Sequence, residues 1–343
     1  MNLVRLSIAI AVAAWPFIAS PTSAAQKQPD MVKAVCAKAR DESSYESSSM
    51  VFLVPGRDGF LFSTRIDMRD YLPINWKSQA TFVEIINTLR GVGTEVVLVV
   101  PPPRAVVDQK FLLPDEVDLA DYNLASAEAG YEAMLEGLRA NGVLVADVLG
   151  KAHSKATRVP FYLRRDIHWS SEGARISAAA AADVIKGLPA FAEVRTEAFR
   201  TSEVSTIKSD ENLSEALTQI CSKAITAERV PIFRTIAVDE QGSLFDDKPF
   251  DVVLIGTSFS KRGDDDPNFS GFLQQELSTR VYNAAREGSG MEGAMAEYLT
   301  SDAFRTRKPK VIVWEFPPYE RPDVDDGEPT RTVADALHQS LRP

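Results

Sequence analysis

The sequence predicts an α/β protein, a parallel sheet with helices packed on it. Short β-branched runs alternate along the chain with longer segments that repeat apolar residues at three- and four-residue spacing. The 343 residues are 45% apolar, enough for a substantial core. Taken in order, strands are predicted at 50–54 (MVFLV), 95–100 (EVVLVV), 143–148 (VLVADV), 250–255 (FDVVLI), 280–283 (RVYN) and 310–316 (KVIVWEF). Helices fall between them at 78–89, 126–139, 171–188, 269–277 and 291–304, where the apolar residues line one face.

Two stretches stand apart from this alternation. Residues 189–249 are rich in Ser, Thr and Glu, show weak periodicity and contain Cys221, and they read as an insertion over the sheet. Residues 321–343 begin PDVDDGEPTRTV after Arg321 and read as a mobile acidic tail. The main domain is therefore expected at 25–320.

The first 24 residues have the build of a secretory signal: Arg5, an apolar stretch, and then Thr22-Ser23-Ala24, with cleavage expected after Ala24 or Ala25. The stretch is short for a membrane span, which needs about 20 apolar residues; an uncleaved anchor is the alternative. Export bears on Cys36 and Cys221, the two cysteines of the chain. An oxidising compartment favours a bridge between them, and a pair of buried free thiols is the other reading. A net charge of −10 argues against nucleic-acid binding. With three histidines and no Cys/His cluster, no metal site and no cofactor are expected.

The chemistry is sought in two stretches. In RRDIHWSSEGAR, Asp166, His168 and Trp169 stand just before a helix whose entry is marked by Ser170, Ser171 and Glu172. A histidine there is ordinarily solvated or structurally bonded, but a carboxylate two residues upstream can fix its tautomer and leave the second ring nitrogen to accept a proton. In DVVLIGTSFS a buried strand ends in Gly256-Thr257-Ser258, which places Ser258 at the carboxyl edge of the sheet, where ligands bind in open parallel sheets. An ordinary turn is the plain reading and a nucleophile the sharper one. Serine needs a base, His153 has no nearby acid and His338 lies in the tail, so motif and elimination converge on Ser258, His168 and Asp166.

These residues carry a resemblance. VPGRDGFLF, VVPPPRA, RRDIHWSSEGAR, LIGTSFS, YNAAREGSG and VIVWEFPPYE occur in the order found in periplasmic polysaccharide O-acetyltransferases of the AlgX/AlgJ alginate acetylation family, which have an SGNH-hydrolase-like domain. The resemblance implies that Asp166, His168 and Ser258 form a triad, with acid and base ahead of the nucleophile in a permuted motif order. It also implies a Cys36–Cys221 bridge. The chain ends soon after WEFPPYE, whereas AlgX-like members continue into a carbohydrate-binding module, so the architecture looks closer to single-domain AlgJ-like members.

The expected reaction is ping-pong acyl transfer through an acetyl-serine onto hydroxyls of alginate or a similar exopolysaccharide. Ser258 N–H and, from the stretch 282–290, Asn283 or a glycine N–H are the expected oxyanion donors, and Trp169, Arg165, Arg262, Arg286 and Tyr319 the expected substrate contacts. The resemblance implies a membrane acyltransferase supplying acetyl groups, and other export proteins, as partners. A polysaccharide acetylesterase with the same triad, or an inactive scaffold of an export complex, is the competing reading.

Overall fold

The computed structural model describes residues 27–45, 52–69, 74, 76–155, 159–209, 211–238, 250–264, 266–320 and 327–342. The signal peptide expected at 1–24 lies outside them, as do 239–249 of the insertion and 321–326 of the tail.

The chain opens with α1 (Met31–Ala34) and a hairpin of β1 (Leu53–Pro55) and β2 (Leu61–Ser63). Helices and strands then alternate: α2 (Trp76–Gly91), β3 (Glu95–Val99), α3 (Arg104–Val107), α4 (Pro114–Leu119), α5 (Leu124–Ala140), β4 (Leu144–Val145), α6 (Val148–Ser154) and α7 (Ser171–Ile185). Next come β5 (Phe199–Lys208), α8 (Asn212–Cys221) and β6 (Arg229–Ala237). The chain continues through β7 (Val252–Ile255), α9 (Phe269–Leu277), β8 (Val281–Asn283), α10 (Gly290–Thr300), α11 (Asp302–Thr306), β9 (Val311–Glu315) and α12 (Glu328–Ser340).

Five strands form the central sheet in the order β4-β3-β9-β7-β8, every neighbouring pair parallel. The expected α/β class is thus the observed one. Successive side chains of a strand point to opposite faces, and the two faces have separate cores. Val96, Leu98, Val253, Ile255, Ile312 and Trp314 pack with side chains of α2, α5, α10 and α12. Val97, Val99, Val252, Leu254, Val311 and Val313 pack with α7 and α9. Burial on both faces is why these strands read as unbroken apolar runs. The alanines from Ala178 to Ala182 in α7 are all buried, so this helix offers a low-profile face to the sheet.

Three expectations are corrected. The strand expected at 50–54 is not in the main sheet: Leu53–Pro55 pairs antiparallel with Leu61–Ser63. The Gly56 N–H donates to Phe60 O across the intervening turn, and so short a connection returns only antiparallel. The helix expected at 291–304 is two helices, because the Ser301 side chain accepts from Phe304 N–H and caps a new start.

The mobile tail is also corrected from residue 327 on. Pro329 sits at the start of α12, where a missing N–H costs nothing, and Val333, Ala334 and Leu337 form a buried stripe in the core. The acidic, Pro- and Gly-containing lead-in masked that periodicity. Within the expected insertion, β5 and β6 pair as an antiparallel ribbon whose side chains are largely exposed, which accounts for its weak apolar pattern. Below it Leu213 and Leu217 of α8 join Met31, Ala34, Leu53 and Leu61 in a third small core. Cys36 and Cys221 are joined there by a disulfide with 5.8 Å between Cα atoms.

Candidate active site

Ser258 lies on the turn that follows β7, at the carboxyl edge of the sheet. Its Oγ is 2.8 Å from His168 Nε2, and His168 Nδ1 is 2.6 Å from Asp166 Oδ1. The three residues expected from the sequence are therefore hydrogen bonded in series. Asp166 is wholly buried, His168 is 6% exposed and Ser258 is the most open of the three. A carboxylate on Nδ1 holds the proton there, so Nε2 is left to accept from the serine hydroxyl.

Asp166 is set by several donors. Oδ1 also accepts the His168 N–H at 2.8 Å, and Oδ2 accepts the Asn212 N–H at 3.1 Å, at the start of α8. Arg262 Nη1 is 3.4 Å from Oδ1. Burial alone would raise the Asp166 pKa, but the His168 ring, its hydrogen bonds and the Arg262 guanidinium outweigh it and hold the group below the usual aspartate value. The acid is thus charged at neutral pH.

The loop carrying Asp166 and His168 is fixed on every side. Asp108 accepts the N–H groups of Phe161 and Tyr162 at 3.1 and 2.8 Å. Buried Arg104 donates to the carbonyls of Leu61, Leu163 and Arg164 and pairs with Asp67 at 3.2 Å. Arg164 pairs with Glu228, whose carboxylate also takes the Arg164 N–H at 3.1 Å. Ser170 caps α7 by accepting from Gly173 N–H at 3.2 Å, as its sequence position led us to expect. A Cβ on Gly173 would lie 2.2 Å from Phe161 O, so only glycine lets the helix start this close to the loop.

The expected substrate contacts divide. Trp169 is corrected: it is 1% exposed, its Nε1 donates to Phe259 O at 2.7 Å, and its ring packs on Phe259 and Phe269. It joins the His168 loop to the Ser258 turn rather than presenting a face to a sugar. Arg165 is corrected as well, being wholly buried, paired with Glu211 at 2.8 Å and donating to Gly59 O at 3.1 Å. Arg262 turns its guanidinium to Asp166 and so serves the acid, not a groove. Arg286 is exposed and paired with Glu297 at 2.5 Å. Tyr319 is half-buried, with its ring 6.2 Å from that of Phe259. Asn283 Nδ2 donates to Ser260 O at 3.0 Å and its Oδ1 accepts Ala285 N–H at 3.0 Å, so its amide braces the turn that carries Ser258.

Sequence reasoning left Glu315, Thr257 and Ser260 without roles. Glu315 is wholly buried under the turn, where its carboxylate accepts from Thr257 N–H at 3.0 Å and Ser260 Oγ at 2.7 Å. Burial pushes its pKa up to about 7 despite those hydrogen bonds. The signal in the sequence was a lone acid closing the run VIVWE at a sheet edge.

Asp166 and His168 come from the loop before α7 and Ser258 only from the later β7 edge, so the site of this α/β protein gathers at the carboxyl end of a parallel sheet. The chain belongs to the family described as SGNH hydrolase-like domain, acetyltransferase AlgX, whose model matches residues 53–318. It is 31% identical over 318 residues to the alginate biosynthesis protein AlgX of Azotobacter vinelandii, a match covering 91% of this chain and 65% of that protein. This chain thus spans just under two thirds of the length of that relative. The solved structure of Pseudomonas aeruginosa AlgX superposes with a TM-score of 0.75 at 26% identity, covering 85% of this chain and 71% of that one. The O-acetyltransferase domain of Pseudomonas putida AlgJ gives 0.64 at 27% identity, covering 84% and 99%.

Proposed function

We propose that the chain is an O-acetyltransferase that carries an acetyl group on Ser258 and delivers it to hydroxyls of alginate or a closely similar exopolysaccharide in the periplasm. The observation that carries this reading is the hydrogen-bonded series Ser258–His168–Asp166 with the serine as its accessible end, in a chain of an acetyltransferase family. The names of the relatives supply the polymer: an alginate biosynthesis protein and an O-acetyltransferase domain.

The geometry supports the following course. His168 Nε2 takes the Ser258 hydroxyl proton as Oγ attacks the acetyl carbonyl of the donor, and the imidazolium that forms is stabilised by charged Asp166. His168 then gives the proton to the leaving group as the bond to it breaks, leaving acetyl-serine. A sugar hydroxyl loses its proton to His168, attacks the acetyl carbon and releases Ser258, which recovers the proton. The oxyanion of each step falls to the Ser258 N–H, which has no hydrogen-bond acceptor among the described residues. Tyr319 is the aromatic side chain best placed to meet an acceptor sugar, and a membrane acyltransferase is the proposed source of acetyl groups.

The test is incubation with an activated acetyl ester and a panel of uronate and neutral oligosaccharides, read by mass spectrometry. Acetyl mass on Ser258 and then on a uronate oligosaccharide supports the reading. Release of acetate alone would replace transfer by esterase activity, and no acetylated protein at all would remove the enzyme reading.

A further inference from the structure

β9 runs parallel to β7 with Trp314 opposite Ile255, so the next residue of β9, Glu315, lies beside Gly256 at the head of the nucleophile turn. Trp314 belongs to the core shared with α2, α10 and α12, and the alternation of a strand turns Glu315 the other way. There it is wholly buried, and no Lys, Arg or His pairs with it among the described residues. A buried carboxylate without a cation carries a desolvation cost that an apolar side chain would avoid. Its retention at this point of the fold calls for a return other than stability.

That return is visible in the hydrogen bonds of the turn. Glu315 accepts Thr257 N–H at 3.0 Å, the Thr257 hydroxyl at 3.2 Å and the Ser260 hydroxyl at 2.7 Å. Thr257 Oγ1 in turn accepts Phe259 N–H at 3.2 Å, and Thr257 O accepts Ser260 N–H at 3.0 Å. Every donor of Thr257 and Ser260 and the Phe259 N–H is thereby occupied. Ser258 is left over, with its hydroxyl on His168 and its N–H unclaimed among the described residues. Gly256 does not have a positive φ; it is needed because a Cβ there would sit 2.5 Å from Glu315 Oε2 and 2.7 Å from Ser260 Oγ.

We propose that Glu315 is the positioning residue of the nucleophile turn, holding Thr257 and Ser260 so that Ser258 alone meets the acyl carbonyl. The inference rests on Ser258 being the nucleophile. It acts through hydrogen-bond acceptance and not through charge. One oxygen receives Thr257 N–H and Ser260 Oγ–H, and the other meets only the Thr257 hydroxyl, which can equally accept; a glutamine amide satisfies the same pattern. A carboxyl that keeps its proton up to about pH 7 has that pattern too.

The experiment is single-turnover acylation of the whole chain by 4-nitrophenyl acetate, following the 4-nitrophenolate burst and the acetyl mass on Ser258. Glu315→Leu, similar in bulk but unable to accept, should slow acylation about 100-fold with little change in the ester concentration that half-saturates it, as expected for a displaced reacting group. Glu315→Gln should restore acylation to within about threefold of wild type. If Glu315→Leu is unfolded by circular dichroism, the pair Thr257→Val and Ser260→Ala carries the test, each slowing acylation at a temperature where circular dichroism shows the variant folded. Acylation at the wild-type rate in Glu315→Leu or in both substitutes overturns the proposal. So does failure of Glu315→Gln to restore it, which would mean that charge is what matters. Absence of any acetyl-Ser258 in the wild type is a separate outcome and refutes the nucleophile reading itself.

Discussion

Replacing Glu315 by glutamine should remove a loss of stability that the wild-type chain suffers as the pH rises. Burial lifts the Glu315 pKa from 4.5 to about 7 in the fold, against the pull of the Thr257 and Ser260 hydrogen bonds. In the unfolded chain the group ionises at its ordinary value. Below 4.5 both states hold the proton and nothing changes; between 4.5 and about 7 the unfolded chain alone has released it, so rising pH favours unfolding. Above that window the whole cost is present. At about 1.4 kcal/mol per pH unit, the gap corresponds to about 3 kcal/mol. Glutamine has no proton to release. Urea unfolding at about pH 5 and about pH 8.5 should therefore show Glu315→Gln gaining about 2.5 kcal/mol on wild type between the two conditions, the remainder having been lost already below pH 5. Asp108, whose pKa burial lifts from 3.8 to about 6, is present in both proteins and cancels from the comparison. Parallel pH profiles for the two proteins would refute the reasoning that the buried carboxyl holds its proton.

The remaining predictions concern the relay and its supports. Asp166→Asn should lower acylation of Ser258 by about 10³- to 10⁴-fold, because the amide can donate to His168 Nδ1 and select the wrong tautomer; a loss below tenfold in the burst assay would take Asp166 out of the relay. Cys36→Ser with Cys221→Ser should cost about 2–5 kcal/mol by thermal or urea unfolding. Since α8 carries both Cys221 and the Asn212 N–H that holds Asp166, the same variant should lose kcat more than KM, and an unchanged kcat would break that link. Arg165→Met strands buried Glu211 and should destabilise by about 3–5 kcal/mol, with KM for an oligosaccharide acceptor unchanged in the folded fraction. A raised KM at unchanged stability would restore Arg165 to the substrate groove.

Much of the fold, and the three residues that meet at the β7 edge, were legible in the sequence for local reasons. A strand buried on both faces must be continuously apolar, which exposed the inner strands β3, β7 and β9 to inspection. The spacing Asp166-x-His168 before a capped helix, and Gly256-Thr257-Ser258 after a buried strand, are written in adjacent residues. Where local composition misled, a nonlocal partner was the cause. Leu53–Pro55 follows Leu61–Ser63 into a hairpin, and α12 owes its place to contacts with α2 and α10 that the acidic approach to it conceals.

The sequence by itself singled out Ser258, His168 and Asp166, and the α/β class that brings strand ends to one edge. Only the tertiary structure decided what the neighbouring polar residues do. An arginine is written the same way whether it reaches a sugar or a buried carboxylate, and burial separates Arg165 and Arg262 from the exposed Arg286. Trp169 became a tie between loops because Phe259, 90 residues away, offers it a carbonyl. Glu315 became the floor of the turn that carries Ser258 because β9 lies beside β7, a pairing set by the sheet and not by any spacing along the chain.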